Sequence, residues 1–149
     1  MSNRYQQAAR AASFVALLMG SALVHAAALP PVHKIGQVEY LSGGIGKDES
    51  TAIQAAARKW PLTLEFAEKD GQHADYLADV KVIVRDAAGH SALQAQAEGP
   101  FLLARLAPGR YNVEATLAGK TLHEPVVVKR GQPGQVAFVW PAGIDKTNS

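Results

Sequence analysis

The chain of 149 residues contains no cysteine. It therefore has no disulfide framework, no thiol nucleophile, no cysteine-ligated zinc or iron–sulfur site and no lipidated cysteine anchor. Charge is also scarce, since charged residues make up 19% of the chain and the formal net charge is +2. Arg4 and Arg10 account for that whole excess. The composition by itself therefore predicts neither a nucleic-acid footprint nor an acid-rich surface.

The N terminus has the three parts of an export signal. Its start is positive, an uncharged apolar run follows at 11–24, and small residues precede a cleavage point after Ala26. This pattern predicts a Sec-type signal peptide over 1–26, with a cut after Ala28 as an alternative. A retained membrane anchor is disfavoured, because the run of about 14 residues is shorter than the ~20 that span a bilayer. We expect a periplasmic or secreted protein with no membrane span after cleavage.

Residues 27–47 are predicted to form an extended leader that ends in a glycine-rich turn. Within the leader, 38–41 either form a short strand or only pack their apolar side chains. Three glycines at its end break regular structure, because glycine supplies backbone freedom. These structural glycines are Gly43, Gly44 and Gly46.

A single short helix is predicted over 48–60. Asp48 is a suitable N-cap for it. Apolar side chains recur at helical spacing as far as Trp60, and Pro61 forbids continuation. The same glycine turn resembles a phosphate loop superficially, but Asp48 stands where a Walker A loop needs serine or threonine. A small polar or cationic ligand at Asp48 and Glu49 is the alternative to a purely structural turn.

Beyond Pro61 the spacing at which apolar residues recur changes from 3.6 to 2 residues. A spacing of 2 is typical of half-buried strands. The run at 101–106 is apolar on both parities, so it is predicted to be central in its sheet. The segment 70–76 is predicted to be the longest loop between strands, and 142–149 a flexible polar tail. The seven predicted strands are 62–66, 80–85, 93–97, 101–106, 111–117, 122–128 and 136–140. The predicted fold is therefore mainly β, a seven-stranded antiparallel sandwich or barrel over 61–141 preceded by one short α-helix.

One motif points to a known family. Leu106 is followed by Pro108-Gly109 and then by Tyr111 in a Tyr-x-Val-x-Ala pattern. Together with the strand and turn at 78–89, this stretch resembles the carboxypeptidase regulatory-like domains, in which a tight turn feeds a strand of a transthyretin-like sandwich. The likeness covers roughly 77–140, and it implies that the seven predicted strands form a transthyretin/immunoglobulin-like sandwich.

The upstream layout from 42 to 67 is similar to a narrower group, the small secreted proteobacterial proteins of unassigned function. The two resemblances imply a non-catalytic accessory or interaction module. They bring no catalytic residues and leave the ligand open.

Histidines and carboxylates are the candidates for a metal site. The weak candidates are His73, Asp75, His90 and His123. Imidazole suits copper and zinc, and His73 and Asp75 could share one strand face. No two of the histidines after the predicted signal peptide stand at i,i+4, so there is no helical metal pair. Scattered surface histidines are the favoured interpretation, and no cofactor is predicted.

No catalytic constellation is evident. The segment 89–93 fails the Gly-x-Ser-x-Gly elbow, because position 93 is Leu. Glu65 with Glu68, or Asp75 with Asp79, could form a glycosidase pair, but nothing in the sequence sets their separation. We therefore predict that the protein is not an enzyme.

The aromatic and basic residues indicate which class of partner the protein could bind. Trp60 and Tyr111 are predicted to anchor the core, and Trp140 to lie in the core or at its rim. Aromatic side chains on the loops of a sandwich could bind a glycan or a protein. Basic residues are dispersed among acids along the sequence, which disfavours nucleic-acid binding.

The sequence therefore predicts a periplasmic, non-catalytic module for protein or carbohydrate interaction through loops or an unpaired strand edge. A carrier of a metal or small ligand, using histidines and carboxylates, is the alternative.

Overall fold

The computed structural model describes residues 28–148. The predicted signal peptide at 1–26 lies outside them. The elements are β1 (His33–Ile35), β2 (Val38–Gly43), α1 (Lys47–Ala56), a 3-10 helix (Ala57–Lys59), β3 (Leu62–Asp70), β4 (His73–Tyr76), β5 (Val80–Asp86), β6 (Ser91–Ala97), β7 (Phe101–Arg105), β8 (Gly109–Leu117), β9 (Lys120–Val128), β10 (Gly134–Trp140) and a 3-10 helix (Ile144–Asn148). Within this range no helix has the length and apolar character needed to cross a bilayer.

The strands form two sheets, which confirms a mainly β fold of sandwich type with one short α-helix. The larger sheet has the order β1-β2-β7-β3-β10, and β4 pairs with the end of β3. The smaller sheet has the order β6-β5-β8-β9. The two expected hairpin turns, at 86–89 and 118–119, are both present and connect β5 to β6 and β8 to β9.

The predicted strand count and the predicted uniform antiparallel pairing are wrong. Residues 28–148 contain ten strands, and β10 runs parallel to β3, with Val136 opposite Leu64. The three additional strands are β1, β2 and β4. β1 and β4 are short and exposed throughout, so they carry no apolar alternation. The leader expected at 27–47 therefore includes two paired strands, of which β2 confirms the short strand given as one alternative for 38–41. The loop expected at 70–76 folds back as β4.

The main core lies between the two sheets. Phe66, Phe138 and Trp140 are almost wholly buried there. Their rings pack with centroids 5.8 Å apart for Phe66 and Phe138, and 6.3 Å apart for Phe138 and Trp140. The indole N–H of Trp140 donates to the carbonyl of Lys120 at 3.0 Å. Trp140 is therefore a core residue with its one polar atom satisfied.

A second, smaller core lies between α1 and the outer face of the larger sheet. It consists of Leu41, Ile53, Trp60, Phe101 and Leu103. The alternate residues of β7, Leu102 and Ala104, face the main core instead. Because β7 is covered on both faces, it is apolar on both parities, and its predicted central position is confirmed.

The helix differs from its predicted limits. It spans Lys47–Ala56, its N-cap is Gly46, and no side chain caps it. Asp48 is therefore not the N-cap but lies in the first turn, where a negative charge favours the positive end of the helix dipole. Glu49 accepts a hydrogen bond from the Gly44 N–H at 2.7 Å. That bond ties the first turn of the helix to the glycine turn.

The C-terminal segment also differs from the flexible tail expected at 142–149. It forms a 3-10 helix at Ile144–Asn148. Ile144 is partly buried against the main core. An apolar contact therefore anchors the start of this helix to the sandwich.

Candidate functional site

A groove of about 300 Å³ opens at one end of the sandwich. It lies where the 3-10 turn after α1, the connection from β7 to β8 and the loop from β9 to β10 meet. Its basic lining residues are Arg58, Lys59, Arg105, Lys129 and Arg130. No aspartate or glutamate of the described range lines it. We call these residues and their setting the basic groove.

The local structure explains why three distant segments meet here. Pro61 ends the helical segment, and its carbonyl accepts a hydrogen bond from the Gly134 N–H at 2.9 Å. The carbonyl of Lys129 accepts from the Gln132 N–H at 3.3 Å, which closes the loop before β10. The loop that carries Lys129 and Arg130 is therefore held beside the basic end of the helical segment.

Arg105 is positioned by an aromatic ring. Its guanidinium carbon lies 4.1 Å from the centroid of the Trp60 ring, a cation–π contact. Its Nε also lies 3.4 Å from the Oε2 of Glu39, and both of these side chains are nearly half exposed. Such an exposed ion pair contributes little energy. The Trp60 ring and the Glu39 carboxylate therefore both orient the Arg105 guanidinium.

The other four cations of the basic groove form no salt bridge with any residue of the described range. Arg58 and Lys59 lie in the last helical turn, where positive charge offsets the helix dipole. Lys129 and Arg130 follow β9 and lie outside any helix. When the charges that line a cleft all have one sign, their electrostatic field is concentrated inside the cleft. The groove is therefore suited to an anion.

A second cleft of about 250 Å³ runs along the same side of α1. It shares Arg58 and Pro133 with the basic groove. Its other polar lining residues are Gln54, Thr63 and Gln135. Thr63 is only 3% exposed, and within residues 28–148 its hydroxyl oxygen has no hydrogen-bond partner. We call this the polar cleft.

The metal candidates are not brought together. His73 and Asp75 lie on β4, His90 follows β5, and His123 lies on β9. The Nδ1 of His90 is 3.7 Å from Asp86, and that of His123 is 4.0 Å from Glu114. In the part of the chain that the structure describes, no group of three or more histidines and carboxylates could hold a metal ion.

The glycine turn packs closely against its surroundings. The Gly44 N–H is directed to Glu49 rather than left open to a ligand. A Cβ on Gly44 would lie 2.6 Å from the Phe101 ring, and one on Gly43 would overlap Glu49 and Pro30. Gly46 has a φ of 87° at the helix start. These contacts give the three glycines a structural reason to be glycine.

The basic groove was missed by sequence reasoning. Along the sequence the basic residues are dispersed among acids, and this gave no sign that five of them line one groove at this end of the sandwich. The sequence has dibasic pairs at 58–59 and 129–130, each within two residues of a residue that interrupts regular structure, Pro61 or Gly131, and this is the signal that sequence could have offered. Their proximity depends on the parallel pairing of β10 with β3, which no local pattern reveals.

Tyr111, in the motif at Pro108-Gly109, also has a structural position. Its hydroxyl donates to the Ala107 carbonyl at 2.6 Å, which closes the turn into β8. Burial, and then the charge of Asp86, raise the pKa of Tyr111 above its ordinary value of 10.0. Burial and the nearby Glu65 raise the pKa of Tyr76 in the same direction.

We expect Tyr111→Phe to lower the free energy of unfolding by about 1 kcal/mol at neutral pH, because one hydrogen bond is lost. The folded state holds the phenolic protons more tightly than the unfolded chain. The stability that Tyr76 and Tyr111 contribute through these protons is therefore fully present below pH 10.0. It is lost as pH rises through their raised pKa values. Urea denaturation of both proteins across this range measures the effect. If the free energy of unfolding of the wild type fell no more steeply above pH 10.0 than that of the variant, the raised pKa of Tyr111 would be contradicted.

No family model and no curated protein matches the chain. The site is therefore defined by the contacts of its own residues.

Proposed function

We propose that this chain is an exported, non-catalytic β-sandwich module that binds an anionic ligand in its basic groove. The observation that carries the proposal is the convergence of five cations on one groove without an acidic lining residue in the described range. Four of them are not neutralised by any carboxylate that the structure describes. The groove therefore has excess positive charge although the chain as a whole is nearly neutral.

The groove is also prepared for binding. Arginine binds carboxylates and phosphates through two parallel hydrogen bonds, which gives geometric specificity as well as energy. The Trp60 ring holds Arg105 in place, so less side-chain freedom is lost when a ligand binds. Lys129 and Arg130 lie on a loop that is tied to β3 through Pro61.

Two further features support the wider proposal of an exported interaction module. The N-terminal sequence has the composition of a Sec signal peptide. The turn at Pro108-Gly109 feeds β8, which is the layout that the resemblance to the carboxypeptidase regulatory-like domains implies. Membership of that family stays a proposal.

Reversing the charge of the basic groove tests the function. We expect Arg58→Glu/Arg130→Glu to weaken binding of tripolyphosphate about tenfold or more, because two attractions become repulsions. Wild-type binding should weaken as salt is added, since screening acts on exposed charges. Calorimetry gives the affinity. Fluorescence gives a second readout, because Trp60 is one of only two tryptophans and lines the groove.

The matched control is Lys81→Glu/Lys120→Glu, which changes the net charge equally. Lys120 begins β9, whereas Val128 at the other end of that strand lines the basic groove. We expect the control to retain most of the wild-type affinity. Equal weakening in both double variants would show that net charge alone matters. That result, or no binding by the wild type at low salt, would overturn the proposed groove.

A further inference from the structure

We propose that the protein forms a symmetric dimer in which β10 pairs with the β10 of a second copy, antiparallel and with a twofold axis at Ala137. β10 is the last strand of the larger sheet, and within residues 28–148 no strand pairs with its other edge. A free edge presents unpaired N–H and C=O groups to any strand that fits it. The inference goes beyond the proposed function, because this pairing needs no anion.

Among the edge strands of the described range, β10 alone lacks every feature that commonly prevents pairing. Such features are short length, charged side chains, proline and bulges. β1 and β4 are short, β9 contains Pro125, and the pairing of β6 with β5 shifts register between Val84 and Arg85. β10 has seven residues, none of them charged or proline, and its register with β3 is unbroken. Its edge is therefore open to a partner strand.

The polar backbone groups of β10 alternate between β3 and the free edge. The Gly134 N–H donates to the Pro61 carbonyl, so Gly134 and every second residue after it direct these groups to β3. The residues between them, Gln135, Ala137 and Val139, direct their N–H and C=O groups to the free edge. All three are exposed, so a partner strand can reach these groups from the solvent.

A second copy of β10 satisfies all of these groups. In an antiparallel pair, alternate residues that lie directly opposite exchange both of their backbone hydrogen bonds. With Ala137 opposite Ala137 of the second copy, Gln135 of each chain lies opposite Val139 of the other. The residues with free polar groups therefore meet one another, and none of these groups is left over. Each chain contributes the same surface, as in the twofold dimers that are common among proteins.

Charge selects a second copy and the antiparallel direction. The basic groove lies at the end of the sandwich where β10 begins. At the other end, β3, β4 and the segment after β10 bring more carboxylates than cations. These are Glu68, Asp70, Asp75 and Asp145 against Lys69 and Lys146. A parallel pair would bring two basic grooves together, whereas an antiparallel pair places each groove beside the acidic end of the other copy. The edge thus favours an uncharged strand with acidic groups at its far end, and β10 is such a strand.

The side chains also suit the pair. Ala137 is small, so two copies can approach at the axis without a clash. Val139 is 50% exposed and would be covered beside Gln135 of the second copy. Val136 is only partly buried against the main core, and the second copy would shield it further. The dimer would carry one basic groove at each end of a continuous sheet.

Sedimentation velocity of the purified protein without ligand tests the dimer. We expect the mean mass to rise toward twice that of one chain as the protein concentration increases. A wild type that stays monomeric at about 1 mM would overturn the proposal and leave the β10 edge for a strand of another protein. That result would leave the anion groove standing, whereas a dimer that binds no anion would overturn the proposed function alone.

A charge at the twofold axis tests where the copies meet. We expect Ala137→Lys and Ala137→Glu each to weaken self-association about tenfold or more, because two like charges would face each other. An equimolar mixture of these variants should associate again, since lysine then faces glutamate. Gln94→Lys and Gln94→Glu, on exposed positions of edge strand β6, are the matched controls and should dimerise like the wild type. Undiminished association of both Ala137 variants, or its loss in both Gln94 variants, would overturn pairing through β10.

Urea denaturation at low protein concentration shows whether these variants are folded. The Ala137 side chain is exposed and its polar backbone groups point away from β3, so the substitutions should leave the urea midpoint unchanged. Weaker association at an unchanged midpoint therefore reports the interface.

A single cysteine measures the register of the pair. The chain has no cysteine, so Ala137→Cys can form a disulfide only with a second copy. Opposite residues with Cα atoms about 5.5 Å apart are within disulfide reach, and we expect a covalent dimer on a non-reducing gel after mild oxidation. Val139→Cys is the comparison, because its counterpart would lie about 13 Å away along the pair. Faster cross-linking through position 139 than through position 137 would overturn the axis at Ala137.

Discussion

Phe138→Ala is expected to lower the free energy of unfolding by about 3–5 kcal/mol. Phe138 is 1% exposed and packs between Phe66 and Trp140 in the main core. Truncation removes apolar area and leaves a cavity that the two aromatic neighbours cannot fill. Since a domain of this size has about 5–15 kcal/mol of stability, the loss is a large fraction of the total.

The comparison variant is Val139→Ala, one residue further along β10. Val139 is 50% exposed, so its truncation should cost less than about 1 kcal/mol. Urea denaturation followed by circular dichroism measures both variants. Similar losses in the two proteins would contradict the assignment of β10 to the edge of a sheet with one buried face.

Gly99→Ala is expected to cost about 2–3 kcal/mol through overpacking. A Cβ at this position would overlap the backbone carbonyl of Gly43, and backbone cannot move aside as the end of a side chain can. The backbone of Gly99 is outside the left-handed region, so the contact alone produces the cost. The new methyl group would also strain the neighbouring bond from the Glu98 N–H to the Ser42 hydroxyl.

Gly109→Ala is the matched control for this second variant. A Cβ there would lie 3.7 Å from the Tyr111 ring, an ordinary contact, and its φ is not in the left-handed region. We expect a change smaller than about 1 kcal/mol. If Gly109→Ala proved as damaging as Gly99→Ala, the close approach of the β6–β7 connection to β2 would not be the cause.

The groove and the glycine contacts show one principle of this fold. β2 and β7 pack so closely against α1 and the β6–β7 connection that only glycine fits at several points. This packing fixes the start of α1 against β2. The other end of the helical segment is held by Trp60, which is buried in the smaller core.

The sequence by itself determined the parts of the fold that are written in local patterns. Alternation of period 2 reports a strand with one face in a core, and each of the seven predicted strands overlaps a strand of the structure. Pro61 ends the helical segment, and a run that is apolar on both parities identified central β7. These features depend on the local backbone and on which nearby residues are buried. Both can be inferred from the residue types in a short stretch of sequence.

Tertiary structure alone decided the remaining features. β1 and β4 are exposed and β2 is half covered by α1, so none of the three alternates clearly. The parallel pairing of β10 with β3 joins residues about 70 apart along the chain, and no local pattern specifies such a partner. The basic groove follows from that pairing. Charges that are mixed with acids along the chain are separated from them in space, because the field at a site depends on distance and not on sequence order.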